Sequence, residues 1–179
     1  PSGDCDKDIA YVGEIAASLG YRFGVTNKGC GVIYVDGREK GKKVGLAAHT
    51  DTLGLMVRSI CADGKIKFTK IGGPQLPTLD GEYCRIHTRD GRLYTGTVLS
   101  LSPSSHVYPD AQKKERDEEN MYIRLDEVVN CADDVKKLGI RTGDIIAYEP
   151  KTVITPSGFV KSRFLDDKAS VACILASLK

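Results

Sequence analysis

No CxxC pair, no GxSxG elbow and no Walker-type phosphate loop occurs in the 179 residues. The first absence leaves a zinc ribbon or a thioredoxin-like redox site unsupported. The other two leave serine-hydrolase and nucleotide-phosphate chemistry unsupported. No apolar run is long enough to cross a bilayer, so no membrane partner is expected. No signal-peptide pattern stands at the start, which reads Pro1-Ser2-Gly3-Asp4 rather than opening on Met. An excess of one charge is lacking too: 26 basic and 24 acidic side chains leave a formal net charge of +2. A nucleic-acid binder usually carries a stronger basic excess or a basic stripe, so no nucleic-acid partner is expected. Internal repeats and low-complexity tracts are also lacking.

What is present is ordinary globular composition, 41% apolar and 28% charged. The length suits one large domain or two small ones and can bury a core. One dense charge cluster, Lys113 to Glu119, mixes both signs and reads as a solvated loop or a helix start. Six cysteines stand at 5, 30, 61, 84, 131 and 173. Several fall in apolar strand or helix patterns, where free cysteine behaves as a small buried hydrophobe. Reduced thiols and a cytoplasmic setting are expected.

Along the chain, Ile9, Val12, Ile15, Ala16 and Leu19 recur at helical spacing, giving a helix over 4–19. Asp4 or Asp6 can cap it, and Gly20 suits the left-handed position after its end. Strand-like pieces follow at 21–26 and 31–35. Val44 to Ala48 is a short apolar run consistent with a buried strand. From about Leu55 to Pro150, short alternating stretches are parted by Asp63-Gly64, Gly72-Gly73-Pro74, Asp80-Gly81 and Asp90-Gly91. Such spacing predicts a small barrel or sandwich. Residues 133–139 form a helix with an acidic start, a basic last turn and a glycine stop, and 145–148 resume a strand. After Asp166-Asp167, Val171, Ala172, Ile174, Leu175 and Leu178 make a nearly all-apolar helix, a pattern normally buried. Residues 1–56 and 154–179 thus read as one α/β unit, with the β-rich middle inserted into it. The last helix has few partners in the chain, so a fragment of a longer polypeptide is expected.

Two places can carry chemistry. In Ala47-Ala48-His49-Thr50-Asp51 an apolar run delivers a histidine and an aspartate at its end. Open α/β sheets bind ligands beyond their strand ends. Neutral imidazole is a good ligand for zinc, cobalt and similar ions, and a nearby carboxylate can orient the ring and raise its basicity. The plainer reading is a histidine bonded to a loop carbonyl. In Phe164-Leu165-Asp166-Asp167-Lys168 two carboxylates open a helix. Capping and dipole complementation explain them without a metal. A carboxylate can also bridge two ions, which two repelling dications would need. His87 fits a half-buried sheet position and His106 a turn-rich loop.

Several segments resemble one family in order. Gly45 to Val57 resembles the first metal motif of the TET-type, or glutamyl (deblocking), aminopeptidases. Lys70-Ile71-Gly72-Gly73, Gly81 to Thr88 and Leu138 to Asp144 resemble pieces of that family's inserted domain. Val160 to Lys168 resembles its second metal motif. The resemblance implies two divalent metal ions (zinc, cobalt or manganese), with His49 a ligand of one, Asp51 supporting His49, and Asp166 bridging both. Asp167 matches an acidic position beside the bridge and is not expected to be a ligand.

The implied fold is part of a phosphopeptidase-like α/β catalytic domain (1–56 and 154–179) interrupted at 57–153 by a β-barrel, PDZ-like dimerisation domain. The implied activity is hydrolysis of N-terminal residues from peptides through a metal-bridged water. A dimer-based homo-oligomer is expected, dodecameric in many family members. The family's Glu-Glu pair (with the general base), a further carboxylate and a final histidine have no counterpart in these residues. The 179-residue chain is therefore expected to be inactive alone. The alternatives are a non-catalytic assembly module or a related di-metal deacylase. A glycosidase is poorly motivated, since that chemistry usually uses two placed carboxylates.

Overall fold

A computed structural model describes residues 1–39 and 41–179. The chain divides into two compact units. One holds Pro1–Ser2 and Leu53–Pro150, the other Gly3–Thr52 and Lys151–Lys179.

The second unit begins with helix α1, Asp6–Ser18, followed by strands β1, Arg22–Val25, and β2, Gly31–Tyr34. The two strands form an antiparallel ribbon with Arg22 opposite Tyr34. The apolar stripe of α1 covers the ribbon, and Ala16 is fully buried. The Phe23 ring lies so close to Gly13 and Gly31 that a Cβ at either would sit within 2.9 Å of it. The end of α1 is as its sequence signals. Gly20 takes φ 82°, its N–H reaches Ala17 O at 3.0 Å, and the Tyr21 N–H reaches Ala16 O at 3.0 Å. These two bonds satisfy carbonyls the helix leaves open. Its start differs from expectation: Cys5 occupies the cap position without a side-chain bond, and Asp6 and Asp8 instead place negative charge in the first turn.

The same unit closes with a hairpin of β9, Val153–Ile154, and β10, Val160–Lys161, and with helix α3, Leu165–Ala176. The sequence reading assigned no structure to the hairpin, whose strands are only two residues long. Two expectations are overturned here. Residues 44–48 are not a strand: no described segment pairs with them, and Val44 and Leu46 are 89% and 72% exposed. Helix α3 is not buried along any of its length. Val171, Ile174, Leu175 and Leu178 instead line an open trough of about 700 Å³, together with α1, β2 and residues 44–51. Apolar pattern shows what a segment can bury, while burial itself needs covering residues.

In the first unit, six strands close into a barrel. They are β3 (Gly54–Ile60), β4 (Ile66–Ile71), β5 (Tyr83–His87), β6 (Leu93–Ser100), β7 (Met121–Leu125) and β8 (Ile145–Tyr148). Their order is β3-β4-β7-β6-β5-β8, and every pairing is antiparallel. Turn glycines Gly64, Gly72, Gly81 and Gly91 all have positive φ, which only glycine adopts freely. Leu55, Val57, Ile66, Phe68, Ile86 and Ile146 fill the interior, none more than 1% exposed. Each fully buried side chain of this kind contributes roughly 1.5–3 kcal/mol. Helix α2, Ala132–Lys137, has the expected acidic start and basic end, joined by Lys136–Asp133 and Lys137–Asp134 pairs at 3.0 and 3.3 Å. No helix among the described residues is long and apolar enough to cross a membrane.

The charge cluster 113–119 is neither helix nor loose loop. The β4–β7 ladder is thin, with Ile66 opposite Ile123 as its one registered pair. Side chains bridge the splayed strands. Glu118 Oε1 accepts from Thr69 Oγ1 at 2.8 Å and from the Lys70 N–H at 2.6 Å. Lys67 Nζ donates to the Glu119 and Met121 carbonyls, and Arg58 pairs with Glu119 at 2.7 Å. Arg116 Nε meets Asp80 Oδ2 at 3.0 Å. Mixed signs in sequence thus mark partners of both signs on the strands.

Two outcomes are expected. Glu118→Ala should lower stability by about 1–3 kcal/mol in denaturant titrations, the cost of stranding bonded donors, where a loose loop would give within about 0.5 kcal/mol. All six cysteines are free thiols, and burial pushes Cys84 up to about 12. Alkylation at pH 8 followed by mass spectrometry should label the exposed Cys30 and Cys173 and spare Cys84 until the barrel unfolds.

Candidate metal centre

His49 lies in an irregular segment, with its side chain 54% exposed. Both ring nitrogens face oxygen. Nδ1 is 3.1 Å from the Asp51 carbonyl and 3.0 Å from Asp51 Oδ1. Nε2 is 3.2 Å from Asp166 Oδ1. The structure therefore brings together all three residues marked in the sequence: His49, Asp51 and Asp166. Strand alternation is not what does it, since the segment is no strand; the irregular chain after His49 brings Asp51 back to Nδ1. The loop-carbonyl bond of the plainer reading is also made, by Asp51 itself.

The two acids at the head of α3 behave differently from a helix cap. Asp166 (φ −82°, ψ 107°) and Asp167 (φ −121°, ψ 23°) are non-helical, and the peptide bond between them is cis. The Asp166 side chain is 91% exposed apart from its approach to His49. Asp167 instead takes a hydrogen bond from the Ser170 side chain, and its Oδ2 accepts the His49 main-chain N–H at 3.3 Å. Lys168 pairs with Asp8 of α1 at 3.1 Å. The sequence reading kept Asp167 off the ligand set, and it missed this link to His49. Its only sign in sequence is the adjacency of two acids where one suffices for a cap.

The electrostatics follow from these contacts. The Asp51 carbonyl, then the charges of Asp51, Asp166 and Asp167, raise the His49 pKa above its ordinary value. The Ser170 hydroxyl and the His49 N–H, with the His49 charge, lower that of Asp167. A neutral ring can donate only one hydrogen. With Nδ1–H given to Asp51, the Nε2 lone pair faces Asp166, the arrangement in which histidine serves as a metal ligand.

The donors suit a divalent ion. Two donors about 2.1 Å from one ion and about 100° apart lie about 3.2 Å from each other, and the His49–Asp166 separation is 3.2 Å. They are only part of a set: among the described residues no cluster of three or more His, Cys, Asp or Glu side chains could hold an ion. His87 closes β5 and His106 lies exposed in a turn.

The M42 glutamyl aminopeptidase family matches residues 29–179, and the chain belongs to it. It is 46% identical over 175 residues to the Bacillus subtilis (strain 168) protein named "Putative aminopeptidase YhfE", covering 98% of this chain and 51% of that one. Among solved structures it resembles aminopeptidase APDkam598 from the archaeon Desulfurococcus kamchatkensis. The TM-score is 0.87 and the identity 28%, over 99% of this chain and 47% of that one. It shares its fold with the Pyrococcus horikoshii TET1 peptidase, described as able to assemble into a tetrahedron or a large octahedral shell. There the TM-score is 0.74 and the identity 18%, over 97% of this chain and 50% of that one. The chain spans about half the length of the curated relative it matches.

His49 should titrate above about 6.5, followed by the NMR shift of its ring protons. Asp51→Asn should bring the midpoint only part way down, because the Asp51 carbonyl is the largest cause and survives. A raised folded-state value means protonated His49 favours the fold. That contribution is complete below about 6.5 and is lost as pH rises through the folded-state midpoint.

Proposed function

We propose that the whole protein is a metal-dependent aminopeptidase removing N-terminal residues from peptides, with divalent ions (zinc, cobalt or manganese) held in part by His49 and Asp166. The observation that carries this is the 3.2 Å approach of His49 Nε2 to Asp166 Oδ1 while Asp51 holds the opposite ring nitrogen. Membership of the M42 family supports it. Asp51 fixes the ring so that Nε2 presents its lone pair. Asp166, exposed and with a second oxygen free of His49, has the chemistry to bridge two ions. Bound divalent ions would polarise the scissile carbonyl and make a water acidic enough to attack it. The family resemblance puts the general base outside these residues, so turnover is assigned to the whole protein. The barrel is proposed as the family's inserted, PDZ-like dimerisation domain within 57–153, serving a homo-oligomer. A cytoplasmic setting fits free thiols.

Aminoacyl chromogenic substrates test the reading. Residues 1–179 should give no turnover with added zinc, cobalt or manganese. In the whole protein, His49→Ala and Asp166→Ala should each cost about 10²-fold or more in kcat/KM, beyond the 10–100-fold typical of a ligand's supporting residue. Metal-dependent turnover by residues 1–179 would refute the missing-base argument.

An assembly role for the barrel is the second reading. Tyr83, Leu93 and Val128 are 70%, 54% and 93% exposed on it. Light scattering of residues 57–150 separates the cases; a strict monomer at high concentration counts against assembly through this segment.

A further inference from the structure

His49 must hold its main chain still if its ring is to meet Asp166, yet residues 41–53 belong to no helix or strand. Ladder hydrogen bonds are therefore not the restraint. The bond that is present comes from the far end of the chain: the His49 N–H donates to Asp167 Oδ2 at 3.3 Å, across a sequence separation of 118. The neighbouring carboxylate, Asp166, meets the ring of the same histidine at 3.2 Å. Two consecutive acids thus hold one residue at its main chain and at its side chain. The head of α3 that carries them is fixed in turn. Ser170 bonds the Asp167 carboxylate, and Lys168 pairs with Asp8 of α1 at 3.1 Å.

We infer that Asp167 is a positioning residue whose carboxylate latches the His49 main chain to the head of α3 and so sets the distance between His49 Nε2 and Asp166. The inference rests on the metal reading of His49 and Asp166 for its consequence. The latch itself exists without an ion. Asp167 acts as an acceptor of one N–H, not as a ligand and not chiefly through its charge. An asparagine in its place keeps an acceptor oxygen; an alanine does not.

The test uses ¹⁵N-labelled residues 1–179, first without metal. Asp167→Ala should speed exchange of the His49 amide by about tenfold, the worth of one intramolecular hydrogen bond, with β1 and β2 amides unchanged. Asp167→Asn should stay within a few fold of the parent. Ser170→Ala, a milder change that frees the carboxylate, should shift the His49 amide in the same direction but less. Cobalt titration followed by visible absorption comes second. Asp167→Ala should weaken binding by about 10–100-fold, as loss of a ligand's support does, and Asp167→Asn by far less. Unchanged His49 exchange in both Asp167→Ala and Ser170→Ala overturns the latch. An asparagine variant as impaired as the alanine one also overturns it, by assigning the effect to charge. His49→Ala and Asp166→Ala report on the metal reading separately. Cobalt binding that survives both overturns that reading, while the amide exchange still decides the latch.

Discussion

Barrel closure is the constraint on which the rest of the chain depends. β3 and β8 are sequence-distant, yet they are neighbours, with Leu55 opposite Ile146 and Met56 opposite Ile145. Their pairing makes the strand by which the chain enters the barrel and the strand by which it leaves run side by side. A long excursion of the backbone then costs little in placement, because its two ends are pinned together by main-chain hydrogen bonds. Without that seam, a histidine before the barrel and an aspartate after it would have to find each other across a loop of over a hundred residues, at the entropic cost of closing it.

The proposed metal centre shows what a proton and an ion would have in common. His49 lies between acceptors on both sides, so its ring is held by the same oxygens whether Nε2 carries hydrogen or faces a cation. The groups are largely exposed, and opposite charges in water attract weakly. A dication would gain more from the Asp166 carboxylate than a proton does, but only where donors beyond His49 and Asp166 complete its shell. Asp51 would contribute to either state through Nδ1, the ring nitrogen turned away from Asp166.

Much of the fold was legible because local rules and global structure agree. The stripe Ile9-Val12-Ile15-Ala16-Leu19 makes α1, Gly20 ends it, and the Asp-Gly turns space out a barrel. The failures share one cause. Val44 to Ala48 carries a strand's composition but meets no partner strand, and α3 carries a buried helix's composition but no complete cover. Pattern records capacity, and pairing is a property of the surroundings. The charge cluster failed in the opposite sense: Glu118 and Arg116 look solvated in sequence, and only the splay between β4 and β7 gives them partners. At the site, His49, Asp51 and Asp166 were marked through motif order, and the structure brings them together. The task of Asp167 was hidden, because its partner is a main-chain N–H, which every residue but proline possesses and no sequence pattern marks.

A closed barrel also has no edge strand. Every strand between Gly54 and Tyr148 has a neighbour on both sides. Apart from the splay between β4 and β7, which side chains bridge, that unit presents no open row of main-chain donors and acceptors for another chain to extend. Among the described residues, all free strand edges belong to two short ribbons, β1–β2 and β9–β10. Templated misassembly by strand addition, the hazard of β-rich proteins at high concentration, is thereby confined to four short strands of the α/β unit.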